Sequence, residues 1–184
     1  MSLSRPSPRE HIHSREIRCR GYRRADGLWD IEALLEDTKT YSFANKDRDG
    51  IASGEPIHRM QIRLTVDDRL VVRAAEAVTE AAPFSLCGDI TPRFAELVGL
   101  RIGPGWRQAV RERMAGVQGC THLTDLLTGP LAQTVMQSVG PARSRRSSAT
   151  AGAARPPIID TCHALAADGP VVAREWPDFY TGAK

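Results

Sequence analysis

The chain has 184 residues, 25 Lys and Arg against 22 Asp and Glu, and a formal charge of +3. Its 41% apolar content suffices for a core and points to one domain of ordinary size. No run approaches the ~18 consecutive apolar residues of a membrane span, and the basic start MSLSRPSPREHIHSRE lacks the apolar stretch of a secretory signal. Four cysteines are too few for a disulfide scaffold, so free thiols in a reducing cytoplasm are expected, with no membrane contact.

Charge is spread unevenly. Residues 1–24 hold seven Arg and two Glu, residues 141–157 hold four Arg and no acid, and the remainder is acidic. No aromatics interleave with the Arg of 141–157, so two solvated basic segments are expected and nucleic acid is not the expected partner. The composition divides the chain into a flexible arm at 1–14, a single α+β domain at 15–140, a disordered Arg/Ser/Ala/Pro linker at 141–157, and a C-terminal hairpin at 158–184 that packs back on the domain.

The first half reads as strands. Ile17, Cys19 and Gly21 alternate with charged residues, as do Trp29, Ile31 and Ala33 with Asp30 and Glu32, and Ala25-Asp26-Gly27 turns between the two runs. Asn45, Asp47, Asp49 and Gly50 match the first half of an EF-hand loop, but Pro56 stands where the bidentate Glu belongs, so a polar hairpin loop is expected. Met60, Ile62, Leu64 and Val66 alternate strictly with polar residues, and Asp67-Asp68 turns into a return strand from Leu70.

The second half reads as helices. Thr91-Pro92 opens one that carries Phe94, Leu97 and Val98 and ends at Gly99. Pro104 opens a second with Trp106, Val110 and Met114 on one side. Thr121 caps a third with Leu123, Leu126 and Leu127, and Pro130 restarts the chain toward Val135 and Val139. Strands first and helices second give an α+β fold, a small antiparallel sheet covered on one face by helices.

Cys120 and His122 form the sharpest chemical feature. Cys120 precedes a helix start, where exposed N–H groups favour a thiolate, and His122 offers a second ligand or a base. His58 opens the Met60 strand, Cys87 follows the sheet, and Cys162, beside His163, lies near the C-terminus. These five, His58, Cys87, Cys120, His122 and Cys162, sit at element ends that converge if the sheet folds as read. Such donors suit zinc or an iron–sulfur cluster. Cys19, within a strand, reads as core. Asp26, Asp30, Glu32 and Asp37 beside Arg23 and Arg24 read as a solvated, salt-bridged face.

The strings RGYRRADGLWDIEALLEDTK, GEPIHRMQIRLTVD, PFSLC, GVQGCTHLTDLL and DTCHAL resemble a bacterial family catalogued as a domain of unknown function. More distantly, Gly54-Glu55-Pro56, Cys87 and the Cys120–Leu123 stretch follow an order similar to that of the iron–sulfur scaffold fold of the NifU N-terminal domain. That likeness implies that His58, Cys87, Cys120 and His122 gather at one end of the sheet. Ile57-His58 stands in place of the scaffold's first cysteine, so the assembly activity is not carried over.

Three functional expectations follow. The first is a non-catalytic metal- or iron–sulfur-related accessory protein that uses the Cys/His cluster and hands its cargo to a protein partner. The second is a metal-free binding module whose face is Arg23, Arg24, Asp26, Trp29 and Asp30, with Trp29 exposed. The third is a thiol enzyme with Cys120 as nucleophile and His122 as base, against which stands the rule that helix positions i and i+2 do not face each other.

Overall fold

The computed structural model describes residues 2–147 and 155–182 and divides the chain into two compact units, Met1–Arg143 and Ser144–Lys184. In the first unit β1 (His13–Arg23), β2 (Trp29–Lys39), β3 (Pro56–Val66) and β4 (Val72–Ala81) form an antiparallel meander in sequence order. Helices α1 (Trp106–Met114), α2 (Thr121–Thr128) and α3 (Pro130–Ser147) follow, so the α+β reading holds.

Period-two alternation gives the sheet two chemically different faces. Trp29, Ile31, Ala33 and Leu35 of β2 and Met60, Ile62, Leu64 and Val66 of β3 are buried on the same face. They share a core with Val110 and Met114 of α1, Leu123, Leu126 and Leu127 of α2, and Leu131, Val135 and Val139 of α3. Each fully buried aliphatic side chain contributes about 1.5–3 kcal/mol. The opposite face is a charged ladder across strands, in which Arg59 pairs with Glu36 and Glu80, and Arg63 with Glu32 and Glu76.

Close approach of helix to sheet needs small residues. A Cβ on Gly21 of β1 would lie 2.0 Å from the Ser138 hydroxyl of α3. Ala75 and Ala77 of β4 likewise pack against the core. The β4 sequence is rich in Ala and Glu, which favour helix, yet it pairs with β3 from Val66 and Val72 to Arg59 and Ala81. Tertiary pairing overrides local preference there.

The segment after β4 differs from the expected helix. Thr91–Leu97 is a 3-10 helix that buries Phe94 and Leu97 and leaves Val98 exposed. The chain leaving it is held by backbone pairing beside the start of β4, where Gly99 N–H donates to the Val72 carbonyl and Ile102 N–H to the Leu70 carbonyl. Trp106 opens α1 and donates its indole N–H to the Leu127 carbonyl at 2.8 Å, which ties α1 to α2.

Two boundaries move. Helix α3 runs on to Ser147 with Pro141 inside it, so part of the expected 141–157 linker is helical, while 148–154 lie outside the described residues. In the second unit the expected hairpin at 158–184 is instead a 3-10 turn at His163–Leu165, helix α4 (Pro170–Glu175) and a further turn at Pro177–Phe179. Pro170 at the first helical position has the backbone angle a helix start requires, which favours α4 over a strand. This unit has its own small core of Ile159, Ala167 and Val172.

Candidate metal centre

Strand register builds the site. Asp37 of β2 lies opposite Arg15 of β1 and opposite His58 of β3. Asp37 continues the buried odd-numbered row of Trp29, Ile31, Ala33 and Leu35, and His58 the even-numbered row of Met60, Ile62 and Leu64. Arg15, Asp37 and His58 therefore form one cross-strand row on the helix-covered face. Asp37 is only 2% exposed.

A buried carboxylate needs several donors, and Asp37 has them. Arg15 grips it with two hydrogen bonds, Nε to Oδ1 at 2.8 Å and the terminal nitrogen to Oδ2 at 2.7 Å. His13 Nε2 lies 3.0 Å from Oδ1 and His58 Nδ1 lies 3.1 Å from Oδ2. Burial alone would raise the Asp37 carboxyl, but Arg15, helped by His13 and His58, outweighs it and holds the group below the ordinary carboxylate value. An ionised carboxylate only accepts, so the proton of neutral His58 sits on Nδ1 and its Nε2 lone pair stays free.

Helix α2 brings the second half. Cys120 is its extended N-cap residue and His122 lies in its first turn. The His122 ring stacks on that of His58, with centroids 4.0 Å apart and a 34° tilt. His122 Nδ1 is 3.9 Å from Cys120 Sγ, and its Nε2 is 4.0 Å from Asp37 Oδ2. Cys120 Sγ is also 3.8 Å from Met60 Sδ on β3. The i, i+2 objection fails here because Cys120 has not yet entered the helix. Gly119 allows this approach through its lack of a side chain, since a Cβ there would lie 2.2 Å from the Met114 carbonyl oxygen.

Both imidazoles are held below the ordinary histidine value. For His58 the causes are burial, then the neighbouring His122; for His122 they are burial, then the Arg15 charge. Neutral imidazole is the form that binds metal. Asp37, His58 and His122 each offer a ligand atom within 4.8 Å of the others, and among the described residues this is the group of three so placed. For a tetrahedral ion, bond lengths of ~2.0 Å to nitrogen and ~2.3 Å to sulfur put the two ligands about 3.5 Å apart. The 3.9 Å between His122 and Cys120 is close to that separation.

The site opens into a cleft of ≈ 660 Å³ lined by His58, Met60, Cys87, Cys120 and His122 together with an apolar wall. Its rim carries exposed Phe84, Leu86 and, at 90% exposure, Val117. The rim is anchored by the polar loop that the EF-hand comparison had singled out. Asn45 donates to the Pro83 carbonyl, and Asp47 accepts from the Ser85 N–H. Asn45 also accepts from the N–H groups of Asp47 and Arg48, so its side-chain oxygen, like that of Asp47 toward Ser85, is used in the loop's own architecture.

Of the residues expected from sequence, His58, Cys87, Cys120 and His122 line one cleft. Cys162 belongs to the second unit, where it is exposed ahead of the His163–Leu165 turn. Cys19 is partly buried against the core, as expected. The proposed partner face is corrected at Trp29, which is 6% exposed and donates its indole N–H to Asp68. Arg23 lies over the Trp29 ring, Arg24 pairs with Asp26 and Asp30, and Asp30 also accepts from the Thr65 hydroxyl. Asp37 was misplaced among the solvated acids. The signal that identifies it is parity, because it falls in the register of Ile31, Ala33 and Leu35.

A family model described as "Protein of unknown function (DUF2889)" matches residues 13–137, more than half of the chain, and spans every residue of the centre. No curated protein and no solved structure matched the chain. The likeness to the NifU scaffold fold was found by none of these comparisons. Among the described residues no helix is long and apolar enough to cross a membrane.

Proposed function

The chain belongs to this DUF2889 family, and from that premise we propose that it is a metal-binding accessory protein holding one transition-metal ion at the Asp37, His58 and His122 cluster, with the Cys120 thiol beside His122. Asp37 orients His58, and Arg15 neutralises Asp37. The observation that carries this reading is the pair of stacked imidazoles, both biased to the neutral form, beside a thiol at the floor of one cleft. The carboxylate behind His58 supports it further, because ligating histidines commonly donate their other N–H to such a partner.

Iron–sulfur clusters are held mainly by thiolates, whereas one thiol stands here beside two imidazoles, which favours a single ion over a cluster. The open cleft and apolar rim suit an ion that is passed to a protein partner. Four free cysteines suit a reducing cytoplasm.

Metal analysis of untagged protein purified anaerobically tests the reading. One equivalent of metal, lost in the His58→Ala/His122→Ala double variant, is the expected outcome. A metal-free protein that takes up no added transition metal contradicts it.

One observation favours a second reading. The His122 ring lies between the Cys120 thiol and the Asp37 carboxylate, as a base activating a nucleophile would. Rapid Cys120 alkylation in metal-free protein, slowed at least about tenfold in His122→Gln, supports thiol chemistry. Equal rates in the two proteins remove it.

A further inference from the structure

The cluster leaves one side of an ion uncovered. Asp37, His58 and His122 supply three donors, and a tetrahedral ion held by three keeps a fourth position open. Cys120 lies outside that cluster, although its sulfur is 3.9 Å from His122 Nδ1. His58 and His122 line the cleft, whereas Asp37 is buried and gripped by Arg15. The uncovered side therefore faces the cleft.

We infer that this open position takes a small molecule with an apolar body and a single uncharged nitrogen or oxygen donor. The inference rests on the metal-binding reading above and names the ligand its ion accepts.

Shape and surface define the body. The cleft, ≈ 660 Å³, falls within the size of small-molecule sites, about 300–1,000 Å³. Met60, Ile90, Phe84, Leu86 and Val117 form its apolar wall. The last three are 63%, 74% and 90% exposed, so a ligand seated against them removes large apolar side chains from water.

Charge defines the head group. Arg15 and Asp37 cancel each other. Two further carboxylates act here, because Asp89 lines the cleft and Asp125 acts electrostatically on both His122 and Arg15. Among the described residues that line the cleft none is Lys or Arg. A divalent ion balances these two carboxylates. An anionic head group adds unbalanced negative charge beside an apolar wall, whereas an uncharged donor preserves the balance.

The test is titration of Co(II)-loaded protein with N-hexylimidazole, N-methylimidazole and hexanoate, read by the visible cobalt bands. It is run above about pH 8, where a free imidazole is uncharged. N-hexylimidazole is expected to bind at least about thirtyfold tighter than N-methylimidazole, since each buried methylene is worth about fourfold. The Leu86→Ser/Val117→Ser variant, altered at exposed positions, is expected to cut that ratio at least about fivefold. Its binding of Co(II) and of N-methylimidazole is expected to stay unchanged. Hexanoate is expected to bind more weakly than N-hexylimidazole and to gain affinity in Asp89→Asn. Equal affinity for the two imidazoles, or a ratio that survives in the rim variant, overturns this inference alone. So does hexanoate binding as tight as that of N-hexylimidazole, or unchanged in Asp89→Asn. Failure to take up Co(II) refutes the metal-binding reading along with it.

Discussion

The two ends of the sheet carry the same residue types and use them differently. At the β1–β2 turn, Arg24 pairs with Asp26 and Asp30 in solvent, and Arg23 covers Trp29. At the other end, Arg15 grips Asp37 beneath the start of α2, with His13, His58 and His122 around it. The first set is a solvated, charge-paired surface. In the second, a buried carboxylate fixes one nitrogen of His58 and frees the other. An acidic residue becomes part of a centre here through strand parity and helix cover, and its chemistry alone does not decide the matter.

That contrast is broken most severely at Asp37. Asp37→Ala leaves the Arg15 guanidinium and the hydrogen-bonded imidazoles of His13 and His58 facing a vacated buried site, and a loss of about 3 kcal/mol in unfolding free energy is expected. Asp26→Ala at the exposed end is expected to leave the denaturation midpoint unchanged. Urea melts of both variants check the pair.

A second comparison concerns close packing. Gly21→Ala places a Cβ against Ser138, and a loss of about 2 kcal/mol is expected. Because the nearest obstacle is the Ser138 side chain, with Ile31 Cδ1 next at 3.2 Å, adding Ser138→Gly is expected to restore part of it. A double-mutant cycle by thermal melting shows whether the two changes couple.

Acid sharpens the comparison more gently. Both imidazoles sit below the ordinary histidine value in the fold, so the unfolded chain binds more protons as pH drops below about 6.5. Their contribution to stability is therefore fully present above that pH and is lost as pH falls through the depressed folded values. Chelator-treated protein is expected to melt progressively lower between about pH 7 and about pH 5, with a shallower slope in His122→Gln. The smallest effect belongs to the outer ladder. Arg63→Ala removes exposed pairs to Glu32 and Glu76, and a change of less than about 1 kcal/mol, smaller still in high salt, is expected in urea melts.

Much of this was legible in the sequence because it follows from periodicity. The alternation from Met60 to Val66 is a strand with one buried face, and the leucines of 123–127 lie on the covered side of a helix. Thr91–Leu97 was harder, since a proline after a capping residue opens a 3-10 helix as readily as an α-helix. Strand β4 was half hidden, because its Ala and Glu residues favour helix and only pairing with β3 makes them strand.

The centre was half legible. His58, Cys87, Cys120 and His122 do face one cleft. Asp37 and Arg15 were missed as a pair because they are 22 residues apart in sequence and meet only through register. Trp29 follows a turn, yet its alternation with Asp30 and Glu32 places it in the buried row and not on the exposed face expected for it.

The most direct test of the account is Co(II) titration of metal-free protein followed by visible absorption. Intense tetrahedral bands at one equivalent, lost in the His58→Ala/His122→Ala variant, are the predicted result. Weak octahedral absorption, or bands that survive in that variant, would contradict a centre built on His58 and His122.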